Sequence, residues 1–388
     1  MQKKVFAAVV GGLLATPAVF ADSANVTISG RFAIGLESYK LSGGNPPNAA
    51  GYSNENRVSD QSSSIIFSGA EDLGGGLKAW FQIDERYSPD GSAATSLGAT
   101  GNTQAGLSGG FGKLAIGRQD LHYQEISRLD ATRAGSLQTI LSDGPLSQVN
   151  GVTIANGTRT PNVIYWDSAD LGGLTARVGY STHWNAGTGS PVGNEVTGRN
   201  QAAPQNGSND NAWTAALRYA AGPILAGASI WNAKEIGTAV TTATPAQVQQ
   251  DQKSTRAWVG YNAAGLKIGL AYDSSQDKLV TASNPFTKRN AWEVPVSYAF
   301  GADTVYVSYA KMGKVSGPAT TDDTDATAMM VGWDHALSKR TFVGAYYTTL
   351  DNKANATYDL FGIANSGNTN TNAGEDAKQI YLGFTHLF

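Results

Sequence analysis

The sequence predicts an all-β fold, an antiparallel transmembrane β-barrel of about sixteen strands with short turns at one end and long loops at the other. Three observations predict it. Apolar residues recur at every second position in segment after segment, the connections alternate between tight and long, and the chain stops on a β-patterned decapeptide closed by Phe388. The mean hydropathy is negative, −0.24, and beyond the N-terminus no run reaches the roughly 20 apolar residues of a spanning helix. A barrel produces that combination, because only alternate residues of each strand meet lipid.

The chain opens on Met1-Gln2-Lys3-Lys4, a short cationic segment, followed by an apolar run from Val5 to Leu14 and by Ala18-Val19-Phe20-Ala21. Charge, apolar stretch and small residues in that order mark a secretory signal, with cleavage expected after Ala21 and residues 22–388 forming one barrel domain. A transmembrane anchor is the other reading, but the run is too short to span and Pro17 interrupts it. The chain has no cysteine, so an exported fold of this size relies on hydrogen bonding rather than disulfides. Its formal charge is −3, and loss of Lys3 and Lys4 with the signal takes it to −5, a balance that gives no reason to expect nucleic acid.

Val26, Ile28, Phe32, Ile34 and Leu36 alternate with Thr27, Ser29, Arg31, Ala33 and Glu37. Leu77, Ala79, Phe81 and Ile83 alternate with Lys78, Trp80, Gln82 and Asp84, and Leu266, Ile268, Leu270 and Tyr272 with Lys267, Gly269, Ala271 and Asp273. Each segment places ionisable groups opposite an apolar face, as a strand between lipid and water requires. Trp213, Trp292 and Trp333 fall on the apolar parity and are expected in an interfacial belt. Trp80, Trp231 and Trp258 fall on the polar parity, either as a track for sugars along a lumen or as packing. Tight links lie at Asp72 to Gly76, Gly109 to Gly112, Asn262 to Gly265 and Phe300 to Asp303. Long Gly/Asn/Ser/Thr-rich segments such as 185–209, 232–251, 274–288 and 351–375 separate them.

Several segments resemble the general trimeric porins of Gram-negative β-proteobacteria. Gly69 to Ala79 resembles that family's second turn, Leu107 to Leu114 with Gly117-Arg118-Gln119 its third strand pair, and Arg159 with Asn162 to Ser168 the strand after its constriction loop. Leu337 to Thr341 and Gly383 to Phe388 complete the match. The resemblance implies a 16-stranded homotrimeric channel for passive diffusion of ions and small hydrophilic solutes. It also implies an outer-membrane location among lipid and lipopolysaccharide, an inward-folded third loop, and a terminal Phe388 read by the barrel-assembly machinery.

That loop is the segment from Asp120 to Thr158, the longest between two strand patterns, and it carries Asp120, Glu125, Arg128, Asp130, Arg133 and Asp143. A loop this long is uncommon without a task, and lining the lumen accounts for its charges. Asp120 to Leu137 is expected to hold a short helix. The facing wall is expected to contribute Arg31, Lys78, Arg159, Arg177, Arg218, Arg256 and Lys267, giving acidic loop against basic wall. By the resemblance, anion-selective members carry an arginine where this chain has Ser64, so weak selectivity leaning to cations is expected.

Catalytic patterns fail. Gly106-Leu107-Ser108-Gly109-Gly110 matches a nucleophile elbow literally, but a second strand follows it instead of a helix. The four histidines, His122, His183, His335 and His386, are widely spaced and form no metal-ligand pattern. Asp322, Asp323 and Asp325 lack a calcium loop's spacing, and no cofactor fingerprint is present. The signal reading sets one test: amino-terminal sequencing of the outer-membrane protein is expected to begin at Asp22, and a retained Met1 would refute it.

Overall fold

A computed structural model describes residues 25–44, 54–91, 99–130, 132–135, 141–142, 144–149, 152–154, 159–182, 184, 211–234, 250–279, 287–317, 322–360 and 372–388. The predicted signal, His183 and Asp143 lie outside them. Seventeen strands join in one antiparallel sheet that closes on itself through the pairing of β1 (Asn25–Gly43) with β19 (Glu375–Leu387). β2 (Asn54–Asp60) and β3 (Ser64–Gly74) both pair with β1 and are halves of one wall strand, so the barrel has 16 strands.

The wall continues through β4 (Leu77–Arg86), β5 (Gln104–Gly109) and β6 (Gly112–Gln119). The chain then enters the interior, where β7 (Gln148–Val149) and β8 (Val152–Thr153) make a small hairpin. It rejoins the wall at β9 (Thr160–Asp167) and β10 (Leu174–Ser181). The circuit is completed by β11 (Asn211–Ala221), β12 (Ile224–Lys234), β13 (Gln250–Ala263), β14 (Leu266–Leu279), β15 (Thr287–Phe300), β16 (Asp303–Met312), β17 (Ala326–Ala336) and β18 (Thr341–Asn352).

The alternation sets which face is wet. Val26, Ile28, Leu36, Leu270 and Leu382 are exposed on the outside, whereas Glu37, Asp273, Arg256 and Gln379 are buried within. In lipid the outward face is solvated by hydrocarbon, so its exposure is compatible with stability. Trp213, Trp292 and Trp333 stand outward, as their parity predicts. Several strands run further than the apolar alternation indicates: Ser274 to Leu279, read as loop, extends β14. Above the hydrocarbon both faces of a strand meet polar surroundings, so the period fades while the hydrogen-bond ladder continues.

The break between β2 and β3 is built by Ser62, at φ 68°. Asp60 stabilises it, its carboxylate accepting the backbone N–H groups of Ser62 at 3.2 Å and Ser63 at 3.0 Å. This Asx-type turn ends one ladder segment and turns the carbonyls of Gln61 and Ser62 towards arginines.

Closure ends on Phe388: Gly30 N–H donates to Phe388 O at 3.0 Å and Phe388 N–H to Gly30 O at 3.2 Å. Deleting Phe388 removes both bonds, each contributing about 0.5–1.5 kcal/mol, and reopens an edge in lipid. The heat-resistant folded band on a gel is expected to fall at least severalfold, and an undiminished band would contradict this role.

Candidate functional site: the lumen and its inward loop

Between β6 and β9 the loop lies against the inner faces of β10 to β19. Leu121, Tyr123, Ile126, Leu129, Leu141, Leu146 and Ile154 are buried there, and full burial of a large aliphatic side chain is worth about 1.5–3 kcal/mol. The short helix expected over Asp120 to Leu137 is reduced, within 120–130, to the 3-10 turn Ile126–Leu129. A regular helix would not place Ile126 and Leu129 on the curved wall while leaving backbone carbonyls free for wall cations. Leu129 fits where Gly269 lacks a side chain; a Cβ there would lie 2.9 Å from its Cδ1. Further along, a Cβ on Gly383 would collide with the carbonyl oxygen of Ala134.

Charged groups fix the loop at four stations. At its root, Arg177 grips Asp167 through Nε at 2.6 Å and Nη2 at 2.7 Å and donates from Nη1 to Asp120 O at 2.8 Å. Arg218 forms a bidentate pair with buried Glu125, which Arg128 also reaches at 3.0 Å. Burial alone would raise the Glu125 carboxyl, but Arg218 holds it below the usual carboxylate range. Deeper, Arg256 and Arg289 share Asp273 at 2.6 and 3.0 Å. Their remaining N–H groups cap loop acceptors, Arg256 on His122 O and Tyr123 O, Arg289 on Leu146 O and Gln148 O. Beside them, burial and the charge of Arg256 push His122 well below its ordinary pKa.

Lys267 donates to the carbonyls of Arg128 at 3.0 Å and Asp130 at 2.9 Å. The Asp130 carboxylate instead receives Ser142 Oγ, and desolvation pushes it up to about 7 against Ser142 and Lys267. At the tip, Asp334 on β17 accepts four donors: the backbone N–H groups of Arg133 at 2.8 Å and Ala134 at 3.2 Å, Tyr306 Oη at 2.8 Å, and Tyr346 Oη.

These placements alter the expected picture. Glu125 is consumed in attachment, the Asp130 carboxylate is held within the loop by Ser142, and Arg256 is a buried anchor, not a pore-lining charge. Arg177 and Arg218 likewise hold the loop's root. Lys78, exposed and paired with Asp72 beside the turn, lies away from the loop. Trp231 and Trp258 are sealed beneath the loop, so no sugar track runs along that wall. Of the polar-parity tryptophans only Trp80 remains partly exposed, under Lys113 Nζ 3.5 Å from its ring centre.

The loop also reaches β6 and β9, where Ala115, Val163 and Tyr165 are buried in one cluster with Leu121, Tyr123 and Ile154, so the wall it leaves uncovered is that of β1 to β5. Ser64 sits on that wall, on one rung between Arg31 of β1 and Arg86 of β4. Arg31 donates to Gln61 O at 3.0 Å and Ser62 O at 2.9 Å; Arg86 reaches Ser62 Oγ at 2.5 Å and Asp84 at 2.7 Å. Arg159 lies 3.5 Å from Asp120, itself held by Asn102. Arg128 and Arg133 are exposed on the loop. A polar recess of about 310 Å³ opens at the root among Asn102, Asp120, Gln124, Ser127 and Arg128. Arg86, Arg289 and Asp334 were missed in the sequence. Arg86 was within reach, because it continues the polar parity of Lys78, Gln82 and Asp84 by one step.

A closed barrel of 16 strands with a charged loop folded inside defines a transmembrane channel. Residues 6–355 match the Gram-negative porin family, and the chain belongs to it. It is 27% identical over 328 residues to the major outer membrane protein P.IB of Neisseria meningitidis serogroup B, covering 83% of this chain and 86% of that protein. It is also 27% identical over 334 residues to the P.IB protein of Neisseria gonorrhoeae, covering 83% and 87%. Among solved structures, the anion-selective porin from Comamonas acidovorans superposes with TM-score 0.70 at 22% identity, over 94% of this chain and all of that one. OmpF of Salmonella typhi, in complex with daunomycin, superposes with TM-score 0.60 at 15% identity over 94% and 98%. The protein is an outer-membrane channel for passive diffusion.

Two tests follow from the attachment. Asp334→Ala leaves two loop N–H groups and two tyrosine hydroxyls without their acceptor. Planar-bilayer recordings are expected to show current noise at least severalfold above wild type with the folded gel band retained; an equally quiet channel would remove the latch. At Asp130 the raised pKa means that protonation favours the attached loop. Attachment is therefore strongest below the ordinary carboxylate range and weakens as the pH rises towards and through about 7. Open-channel noise should rise over that window in wild type and stay flat in Asp130→Asn.

Proposed function

We propose that the channel favours small anions and assembles as a homotrimer. The observation that carries this reading is the division of charge by the loop. Its carboxylate Glu125 is spent on attachment and that of Asp130 on Ser142 within the loop, while Arg31, Arg86 and Arg159 on the open wall and Arg128 and Arg133 on the loop border the path. The carboxylates nearest that wall, Asp60, Asp84 and Asp120, accept N–H groups of Ser63, Arg86 and Asn102. The absence of arginine at position 64 counts for less than the sequence suggested, because Arg31 and Arg86 flank it. Selectivity then follows the sign of the fixed field at the narrowest passage.

No bond is made or broken in this reading. Ser229 Oγ lies 2.9 Å from His122 Nδ1, which could suggest a nucleophile and base, but the pair is buried between the loop and the wall, and among the described residues no acid meets His122 Nε2. A terminal Phe388 engaged by the assembly machinery, contact with lipopolysaccharide and a signal removed after Ala21 belong to the same reading. It draws support from the family, in which secreted β-strands must be delivered and closed in the membrane.

Reversal potentials in a potassium chloride gradient test it. Wild type is expected on the chloride side. Arg86→Gln should move the potential towards potassium, since one charge near the path is worth about 1 kcal/mol at water-like dielectric, about fivefold in permeability ratio. A potassium-selective wild type, or an unmoved Arg86→Gln, would overturn the proposal.

A further inference from the structure

A second connection enters the barrel beside the inward loop. The long segment after β18 is polar in composition, and such a segment ordinarily runs over the surface in water. Its first part does not: Ala356, Tyr358 and Leu360 are fully buried and Asp359 nearly so. They share one apolar cluster with Leu141 and Leu146 of the inward loop and with Tyr39 and Leu41 on the inner face of β1. Residues 356–360 therefore lie inside the long-loop half of the barrel, seated on the inward loop and across the seam where β1 meets β19.

Two side-chain amides fasten this segment. At its root Asn352 turns the chain back: its Oδ1 accepts the Tyr358 N–H at 3.2 Å, and its Nδ2 donates to Tyr358 O at 2.9 Å and to Glu375 O at 2.6 Å. At its far end Gln148 of β7 donates from Nε2 to Asp359 O at 3.1 Å and accepts the Asp359 N–H on Oε1 at 3.0 Å. One amide thus satisfies both backbone groups of a buried residue, as a neighbouring strand would. Between these points the β16–β17 connection supports the outer flank, where Asn355 N–H donates to Asp323 O at 2.9 Å and Asn355 Nδ2 to Asp322 O at 2.7 Å. The Gln148 carbonyl in turn receives Arg289, which is paired with Asp273 of the wall. A continuous line of bonds runs from wall to inward loop to residue 359.

We propose that residues 356–360 are a strap that, together with the inward loop, sets the largest solute the channel admits, and that Gln148 is the positioning residue that keeps the strap inside. The bonds at Gln148 are buried, so breaking them leaves a peptide N–H and C=O without partners in a place that water does not reach. The released segment gains those partners only by leaving the barrel for water, and the space it vacates widens the long-loop half of the lumen. Both fastening side chains, Asn352 and Gln148, are neutral. Their loss changes the width of the passage and adds or removes no charge, so the size limit and the ion preference are separable properties of this channel.

The chain has no cysteine, so a single introduced thiol reports on the strap. In the full-length protein, Leu360→Cys is expected to react with a charged methanethiosulfonate at least tenfold more slowly than Lys353→Cys, placed at an exposed position. Adding Gln148→Leu should speed the reaction of the Leu360→Cys thiol at least fivefold. Swelling of liposomes that contain the protein then measures size, with neutral sugars as probes: Gln148→Leu should raise the entry rate of the trisaccharide raffinose, relative to the pentose arabinose, at least threefold. Lys353→Gln should leave that ratio as in wild type. Rapid labelling of Leu360→Cys in the otherwise native chain, or an unchanged sugar ratio in Gln148→Leu, would overturn the proposal. The heat-resistant gel band reports folding; if Gln148→Leu does not fold, Asn352→Ala, which frees the same strap at its root, is held to the same outcomes. The reversal potential of Gln148→Leu should equal that of wild type, and a shifted potential with an unchanged sugar ratio would also overturn the size role. A protein that admitted neither sugar would speak against the channel, and the labelling rates would still decide the strap.

Discussion

Every backbone N–H and C=O in the hydrocarbon layer must find a partner within the chain, because lipid offers none. That requirement joins Asn25–Gly43 to Glu375–Leu387, the first and last described strands, and makes Phe388 and Gly30 hydrogen-bond partners across more than 350 residues of sequence. Once the sheet closes, the parity of each strand is no longer a local matter. A one-residue slip anywhere would carry buried groups such as Asp273 or Arg256 into lipid and hydrophobes into water, so each register is pinned by both solvents at once.

Closure creates an interior too wide for wall side chains to fill, and the loop between β6 and β9 is what occupies it. Its attachment is largely ionic where an ordinary core would be apolar. Asp273 between Arg256 and Arg289, with every element fully buried, would be costly if any member were missing: removing one partner from such a cluster costs about 3–5 kcal/mol, since an uncompensated charge remains. The guanidinium groups offset their desolvation by capping loop carbonyls as well as carboxylates, a use that the planar fork of arginine permits and a lysine would serve less well. Apolar contacts complete the seat, with Leu129 received by the missing side chain of Gly269.

The electrostatics of the lumen are then a residue of construction. The Glu125 carboxylate that binds the loop to β11 cannot also face a diffusing ion, while Arg31 and Arg86 stand on β1 and β4 and Arg159 just before β9. The broken strand contributes directly, because the turn at Ser62 aims carbonyl oxygens at Arg31 and Arg86 and so fixes both guanidinium groups beside the path.

By itself the sequence determined the class of fold, the alternation of short and long connections, the outward tryptophans and the position of the inward loop. Each of these is written in a local period or a local composition that the membrane reads residue by residue. It also marked Arg31, Arg159, Ser64 and Asp120 as residues of one region. It left undecided which charges face water and which face each other, since period two assigns a side but not a depth, and depth depends on closure, tilt and the breaks at Ser62 and Gly117. Only the tertiary structure decided that Arg256 is an anchor, that Trp231 and Trp258 lie under the loop, and that Asp334 receives its tip. Those contacts join positions more than 100 residues apart, and a pattern confined to one strand carries no record of what will be folded against it.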